Sequence, residues 1–171
     1  MNQSILYKDK PLFGLDVGTS SIKVMQLGPL RKNKKTRPII GYGSIQYDKS
    51  AVVEGEVVDP EIVAKALKEM FESSLIGDIT TRRVAMSLPV ARTYNRVLSL
   101  PLLKEKELDE AVRLEAEQYI PVPLEDLYID FDVISKSDKG YEVLLSAAPK
   151  KIVDSYIALT NLLGLEIVAL E

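Results

Sequence analysis

The sequence predicts an α/β fold built on a mixed sheet, and three observations support this. Three apolar segments with alternating polar residues, at 12–17, 22–27 and 38–47, predict an antiparallel meander. Asp59-Pro60-Glu61 then combines an N-cap, a proline at the first helical position and an acidic first turn. The apolar segment Val84–Leu88 predicts a fourth strand. A right-handed crossover would place it parallel to the first strand and beside it.

The turn between the first two predicted strands carries residues suited to bind phosphate. Glycine lets the backbone approach an anion closely, and successive N–H groups in such a turn can form an anion-binding nest. An aspartate at the strand end suits Mg²⁺ held through water, since this ion keeps much of its hydration shell. The alternative is an ordinary hairpin, because Asp-x-Gly is common at turns. The candidate cofactor-binding residues are Asp16, Gly18, Thr19, Ser20, Ser21 and Lys23.

Composition excludes several classes of site. The 171 residues include no His and no Cys, which excludes Ser-His-Asp and Cys-His catalysis and His- or Cys-based zinc sites. The net charge of -3 gives no reason to expect a nucleic-acid partner. No apolar segment approaches the length of a transmembrane helix. Carboxylate, hydroxyl, lysine and backbone chemistry remain, and these suit phosphate and Mg²⁺.

The second half of the sequence can fold in two ways. A β-α-β-β-α-β order is compatible with a separate ferredoxin-like domain. Alternatively, residues 89–147 form a β-α-β-β insertion, and residues 148–171 return a helix and a strand to the first sheet. We favour insertion, because the first sheet otherwise has one helix to cover two faces. The predicted elements are strands at 94–100, 127–134, 141–147 and 165–170, and helices at 102–120 and from Pro149 to Leu163, with Gly164 as a helix-ending residue.

Two polar segments give less specific predictions of structure and function. Residues 1–11 are expected to be a loose tail or a short docking segment. Five of the seven residues at 31–37 are basic, which is typical of a solvated hairpin tip. The alternative for this segment is contact with an anionic membrane surface or an acidic partner.

Several motifs carry a family resemblance. The predicted strand order is that of a ribonuclease-H-like sheet, and DVGTSSIK at 16–23 resembles the first phosphate loop of the actin-like ATPases. GEVVD at 55–59, EAEQYIPVPLE at 115–125 and AAPK at 147–150 resemble the PilM family of type IV pilus assembly proteins. The resemblance implies an actin-like subdomain 1A, residues 1–88 and 148–171, with an inserted subdomain 1C like that of the cell-division protein FtsA at 89–147.

The resemblance implies ATP and Mg²⁺ as cofactors of a complete, two-lobed protein. Only one Asp-x-Gly phosphate turn is present, and the sequence ends where the next helix of subdomain 1A is expected. The chain therefore resembles a first lobe with half of an ATP site, and we expect inefficient hydrolysis. Glu171 falls where the family has an acidic residue near the metal and the attacking water.

The resemblance also implies a partner. In the PilM family the N-terminal cytoplasmic tail of the membrane protein PilN binds a groove involving subdomains 1A and 1C. This implies a cytoplasmic component at the inner membrane face, within the pilus assembly complex. An FtsA-like cell-division scaffold or a GspL-like secretion scaffold, acting without ATP hydrolysis, is the alternative. The candidate partner-binding residues are Glu117, Gln118, Tyr119, Ile120 and Pro121. Tyr119 and Ile120 fall on the apolar side of the predicted helix and are expected in the core, with partner contact as the alternative.

Overall fold

The computed structural model describes residues 10–30, 32 and 35–171. Most of the expected N-terminal tail and part of the basic segment at 31–37 lie outside these residues. The strands are β1 (Phe13–Val17), β2 (Ser21–Leu27), β3 (Ile39–Gln46), β4 (Val52–Val53), β5 (Glu56–Val57), β6 (Ile76–Gly77), β7 (Arg83–Met86), β8 (Tyr94–Leu100), β9 (Leu127–Ser137), β10 (Gly140–Pro149) and β11 (Glu166–Leu170). The α-helices are α1 (Pro60–Ser73), α2 (Glu105–Tyr119) and α3 (Lys150–Leu163), and short 3₁₀ helices span Lys49–Ala51, Val90–Arg92 and Leu124–Asp126.

The described chain forms two compact units. The first comprises the described residues up to Leu88 together with Ser155–Glu171, and the second comprises Pro89–Asp154. The expected boundary lay after residue 147, whereas β10 continues to Pro149 and the first turn of α3 belongs to the second unit.

A six-stranded mixed sheet organises the first unit. Its strand order is β11-β7-β1-β2-β3-β6. β1 pairs antiparallel with β2 and parallel with β7, and β11 pairs parallel with β7. The prediction that the strand after Gly164 joins the sheet of β1 is therefore confirmed, as is the parallel fourth strand. The α/β fold class of an actin-like subdomain with an inserted α+β unit is borne out.

The helices of the first unit cover one face of this sheet. Phe13 on β1 packs edge-on against Phe71 of α1, with ring centroids 6.3 Å apart. α3 lies beside α1, because Leu162 of α3 and Ala64 of α1 line the same surface groove. α1 and α3 both belong to connections that progress along the sheet in the same direction, from β3 toward β11. Right-handed connections that progress in the same direction lie on the same face of a sheet. The expectation that the final helix would complete the cover of both faces is therefore wrong.

Side chains on the opposite face remain accessible. Met25 on β2 is 46% exposed, and its cross-strand neighbour Tyr42 on β3 is 45% exposed. Gly14 of β1 is the other cross-strand neighbour of Met25, and it is also exposed. This face carries the candidate site at one end.

Two close contacts involve glycines of β3. A Cβ at Gly41 would lie 2.3 Å from the carbonyl oxygen of Asp78, and one at Gly43 would lie 3.0 Å from the sulfur of Met70. Glycine is thus required at Gly41, where the neighbour is backbone, whereas at Gly43 the Met70 side chain would have to shift. The two-residue strands β4, β5 and β6 were not predicted, because segments this short carry no periodicity.

A three-stranded antiparallel sheet, in the order β8-β10-β9, organises the second unit. α2 packs on it through Leu108, Val112, Ala116 and Ile120, which recur every four residues and are buried. The helix begins at Glu105 rather than at the predicted 102, where Glu107 accepts a hydrogen bond from the Lys104 amide at 2.9 Å. β9 extends beyond the predicted residue 134, so that Asp138 and Lys139 alone separate it from β10.

Candidate functional site

The candidate phosphate turn joins β1 to β2. Asp16 and Lys23 lie directly opposite each other, one pair away from the turn. The Gly18 amide donates to the Ser21 carbonyl at 2.9 Å, which closes the turn. Thr19 and Ser20 are exposed at its tip. No hydrogen bond within the described part of the chain uses the amide N–H groups of these two residues.

Gly18 is needed at this turn for space. It does not adopt a positive φ, unlike Gly55 or Gly164. A Cβ on Gly18 would lie 3.2 Å from the carbonyl oxygen of Ser21, which is tighter than ordinary packing. Because its own N–H is used within the turn, the donors available to an anion are the Thr19 and Ser20 amides and the neighbouring hydroxyl groups.

Asp16 makes two contacts at the end of β1. Its Oδ1 accepts a hydrogen bond from Ser87 Oγ at 2.8 Å, and its Oδ2 lies 3.5 Å from Lys23 Nζ. Both members of the ion pair are about half exposed or more, so the pair contributes little to stability and can rearrange around a ligand. Ser87 was missed by the sequence analysis. It follows β7, whose parallel pairing with β1 brings the two carboxyl ends together.

Two tyrosines lie behind the turn. The Tyr47 hydroxyl donates to the Gly18 carbonyl, and the Tyr156 hydroxyl donates to the Val17 carbonyl at 3.4 Å. Burial raises the pKa of Tyr47 to about 12, and the negative charge of Asp16 adds to the increase. Burial likewise raises the pKa of Tyr156 to about 12, with smaller contributions from Tyr47 and Asp16. Both phenols are therefore neutral donors at ordinary pH.

An open groove of about 380 Å³ lies along the accessible face of the sheet at this end. Glu171 lines it because its backbone is held beside β7. Its amide donates to the Met86 carbonyl at 2.9 Å, and its carbonyl accepts from the Leu88 amide. The groove-lining residues are Gly14, Leu15, Asp16, Lys23, Val24, Met25, Ala85, Met86, Ser87 and Glu171.

The donor set of this groove and of the adjoining turn fits a phosphate group and a hydrated magnesium ion. Turn amides, hydroxyls and Lys23 can bind phosphate oxygens. Asp16 and Glu171 are carboxylates on the same groove, and Mg²⁺ commonly uses one or two carboxylates together with waters and substrate phosphates. A cluster of three or more carboxylates able to hold a metal by itself is absent from the described residues.

The candidate partner-binding residues lie where α2 ends in the second unit. Glu117, Gln118, Tyr119 and Pro121 are exposed, whereas Ile120 is 7% exposed and belongs to the core. The expectation of core packing is thus confirmed for Ile120 and wrong for Tyr119.

The exposed Tyr119 ring is partly covered by a cation. The guanidinium carbon of Arg96, on β8, lies 3.2 Å from the centre of the ring, an arrangement that favours cation–π attraction. Tyr119 is still 45% exposed. The side chain of Gln118 makes no hydrogen bond to the described part of the chain. This end of α2 therefore presents an aromatic ring and an amide to a ligand.

Within the described ranges, no helix combines the length and apolar character that a membrane crossing needs.

Comparison with solved structures shows the fold in other proteins. A structure described as the "PilM-PilN type IV pilus biogenesis complex" matches with a TM-score of 0.80 at 26% identity, over 94% of this chain and 46% of the other. The cytoplasmic domain of EpsL, an inner membrane component of the type II secretion system of Vibrio cholerae, matches with a TM-score of 0.60 at 13% identity, over 94% and 57% of the two chains. This chain thus spans less than two thirds of either one.

Comparison with protein families gives a match over nearly the whole chain. The family described as "Type IV pilus assembly protein PilM" matches residues 14–171, a range that includes the phosphate turn, both units and Glu171. This chain belongs to the PilM family of type IV pilus assembly proteins.

Proposed function

We propose that this chain is a nucleotide-binding part of a type IV pilus assembly component, with ATP and Mg²⁺ as the cofactors of the complete protein. One observation carries the nucleotide assignment. The unpaired amides of Thr19 and Ser20 lie on the turn next to Asp16, which lines the groove with Lys23 and Glu171. Such an arrangement, at the carboxyl ends of the parallel strands β1 and β7, is suited to bind polyphosphate.

The proposed roles follow from the chemistry of each group. The amides and hydroxyls of the turn bind phosphate oxygens, and Lys23 adds a positive charge. Asp16 holds Mg²⁺ through water. Bound magnesium would neutralise phosphate charge. Glu171 is the proposed catalytic residue, as the carboxylate that orients the attacking water.

Weak binding is expected of this chain by itself. The groove is open, and adenine and ribose have no second wall among the described residues. Burial of most of a ligand's surface is the usual source of small-molecule affinity. We therefore expect a Kd for Mg-ATP no tighter than high micromolar.

Calorimetric titration with Mg-ATP tests this assignment through Asp16→Asn. This variant removes the charge while keeping the shape of the side chain that accepts from Ser87. Mg-ATP affinity should fall about tenfold, as expected for loss of a charged contact of ~1.4 kcal/mol. Asp132→Asn is a matched control, since Asp132 is an exposed aspartate on β9 in the second unit. Equal affinity of Asp16→Asn and wild type would remove Asp16 from the site. Sub-micromolar affinity of wild type would overturn the half-site interpretation.

We further propose that the second unit, as a subdomain 1C, binds an extended N-terminal peptide of a PilN-like membrane protein. The exposed Gln118, Tyr119 and Pro121 support this, because α2 ends there and its last carbonyl groups are left without helical partners. A complex of PilM and PilN is also the subject of the structural match at 26% identity. The proposal places the chain in the cytoplasm, peripheral to the inner membrane, within the pilus assembly complex.

Fluorescence anisotropy with a labelled PilN N-terminal tail peptide tests this docking. We expect micromolar affinity, because ordering a flexible peptide costs entropy. Gln118→Ala should weaken binding several-fold while the melting temperature stays unchanged, since the side chain is exposed. Gln46→Ala, on the exposed end of β3 in the first unit, is the matched control. A parallel fall in melting temperature and affinity would favour a packing role. No binding by wild type at high micromolar concentration would refute the docking proposal.

A further inference from the structure

We propose that Tyr47 is a positioning residue for nucleotide phosphate, because its hydroxyl fixes the orientation of the peptide group between Gly18 and Thr19. This inference rests on the proposed nucleotide-binding function and adds to it. Tyr47 lies on the segment that follows β3 and is partly buried. It contacts the turn through both its side chain and its backbone.

The geometry of a peptide group links Tyr47 to the anion site. The Tyr47 hydroxyl donates to the carbonyl of Gly18. In a trans peptide the N–H of the next residue points opposite to that carbonyl, and no cis peptide bond occurs among the described residues. Holding the Gly18 carbonyl toward Tyr47 therefore directs the Thr19 N–H away from Tyr47, and Thr19 itself is exposed.

Tyr47 also holds the turn at a second point. Its backbone amide donates to the carbonyl of Ser20 at 3.0 Å. The hydroxyl contact orients the peptide group between Gly18 and Thr19, and the backbone contact holds the peptide group between Ser20 and Ser21. The turn is thus fastened on both sides of Thr19, whose amide is left as a donor for a ligand. Donors that are oriented before an anion arrives lose less entropy when they bind it.

Tyr156 holds the neighbouring peptide group in the same way, with a different result. Its hydroxyl donates to the carbonyl of Val17, which directs the Gly18 N–H. That N–H is already used by the Ser21 carbonyl. The two tyrosines therefore divide the turn, since Tyr156 supports its closure and Tyr47 directs the donor left for a ligand.

The burial of Tyr47 keeps this contact independent of pH over the working range. The pKa of Tyr47 is about 12. The phenol therefore keeps its proton, and Gly18 keeps its donor, at any pH near neutrality. Phenylalanine would keep the ring and its packing but could not hold the carbonyl.

Tyr47→Phe in the full 171-residue chain tests the inference. Affinities for Mg-ATP and for adenosine are measured by NMR titration well below the melting temperature, with the Gly18 and Thr19 amide signals assigned. Mg-ATP affinity should fall about 3- to 10-fold, the range expected for one neutral hydrogen bond. Adenosine affinity should not change, and the Thr19 amide signal of the free protein should shift. Tyr42→Phe on β3 is the matched control, since Tyr42 is exposed and has no hydroxyl partner among the described residues.

The outcomes separate this inference from the function on which it rests. Equal Mg-ATP affinity of Tyr47→Phe and a binding-competent wild type overturns the positioning role alone. Absence of Mg-ATP binding by wild type overturns the proposed nucleotide function as well. Wild type provides a second measurement that needs no variant. Mg-ATP should shift the Thr19 amide signal more than that of Gly18, and the reverse order overturns the inference.

Discussion

Replacing Tyr156 with phenylalanine is expected to change how the free energy of unfolding depends on pH. Tyr156 is fully buried, and its pKa rises from an ordinary value of 10.0 to about 12. A raised pKa means that the folded state holds the phenolic proton more tightly than the unfolded state does. The stability that this contributes is complete below pH 10 and is lost as pH rises toward 12.

The size of the effect follows from that difference. One pKa unit corresponds to about 1.36 kcal/mol. At pH 11 the unfolded state is mostly ionised while the folded state is mostly protonated, so wild type should lose about 1.4 kcal/mol relative to pH 8 through Tyr156. Tyr156→Phe cannot undergo this loss. At pH 8 the variant should be about 1 kcal/mol less stable, because the hydrogen bond to Val17 is missing.

Urea unfolding followed by circular dichroism at pH 8 and pH 11 measures both quantities. The stability advantage of wild type over Tyr156→Phe, measured as the free energy of unfolding, should fall by about 1.4 kcal/mol from pH 8 to pH 11. The variant should then be as stable as wild type at pH 11, or slightly more stable. Tyr42→Phe removes an exposed hydroxyl and should follow wild type. If wild type and Tyr156→Phe lose stability in parallel, the buried phenol does not have the raised pKa, and the reasoning is refuted.

Three further predictions concern the free energy of unfolding. Gly41→Ala should lower the free energy of unfolding by about 2 kcal/mol, because its Cβ would meet the Asp78 carbonyl at 2.3 Å. Gly14→Ala should not destabilise the fold, since the nearest atom is 3.8 Å from its Cβ. Chemical denaturation of both variants measures the difference. Gly164→Ala should lower the free energy of unfolding by about 1 kcal/mol through its φ of 64° alone, since its Cβ meets no atom closer than 3.9 Å. Asparagine tolerates this conformation better than alanine does. An equal loss of stability in Gly164→Asn would therefore contradict the argument. Leu145→Ala, in the core of the second unit, should cost about 3 kcal/mol, and a loss below 1 kcal/mol would show that the core collapses around the deletion.

Most of the fold was predictable because its signals are local. Alternation of apolar residues gives β1 and β2 within a residue of their observed bounds. The Asp59 side chain accepts from the amides of Glu61 and Ile62, which is the cap that its position predicts. Gly164 ends α3 with a positive φ, as expected of a residue after a helix.

The parts that were missed depend on long-range packing. Ser87, Tyr47 and Tyr156 reach the phosphate turn from three separate elements, and nothing near them in the sequence records that convergence. The helical pattern assigned Tyr119 to the core. Ala116 and Ile120 take the buried positions on this side of α2, so the Tyr119 ring turns to solvent beneath Arg96. The placement of α1 and α3 on one face of the first sheet depends on the handedness of their connections, which composition does not reveal.

The interruption of the first unit by the second has a consequence for folding kinetics. β11 and most of α3 can join the first sheet only after a loop of 66 residues, 89–154, has closed. The second unit is continuous in sequence, and its strands β8 and β10 pair Tyr94 with Ala147. Its folding would therefore shorten the remaining loop to about 12 residues and reduce the closure cost by about 1.5 kcal/mol. We expect the inserted unit to form early and to accelerate completion of the sheet into which it is inserted, so that destabilising its core slows folding of the whole chain.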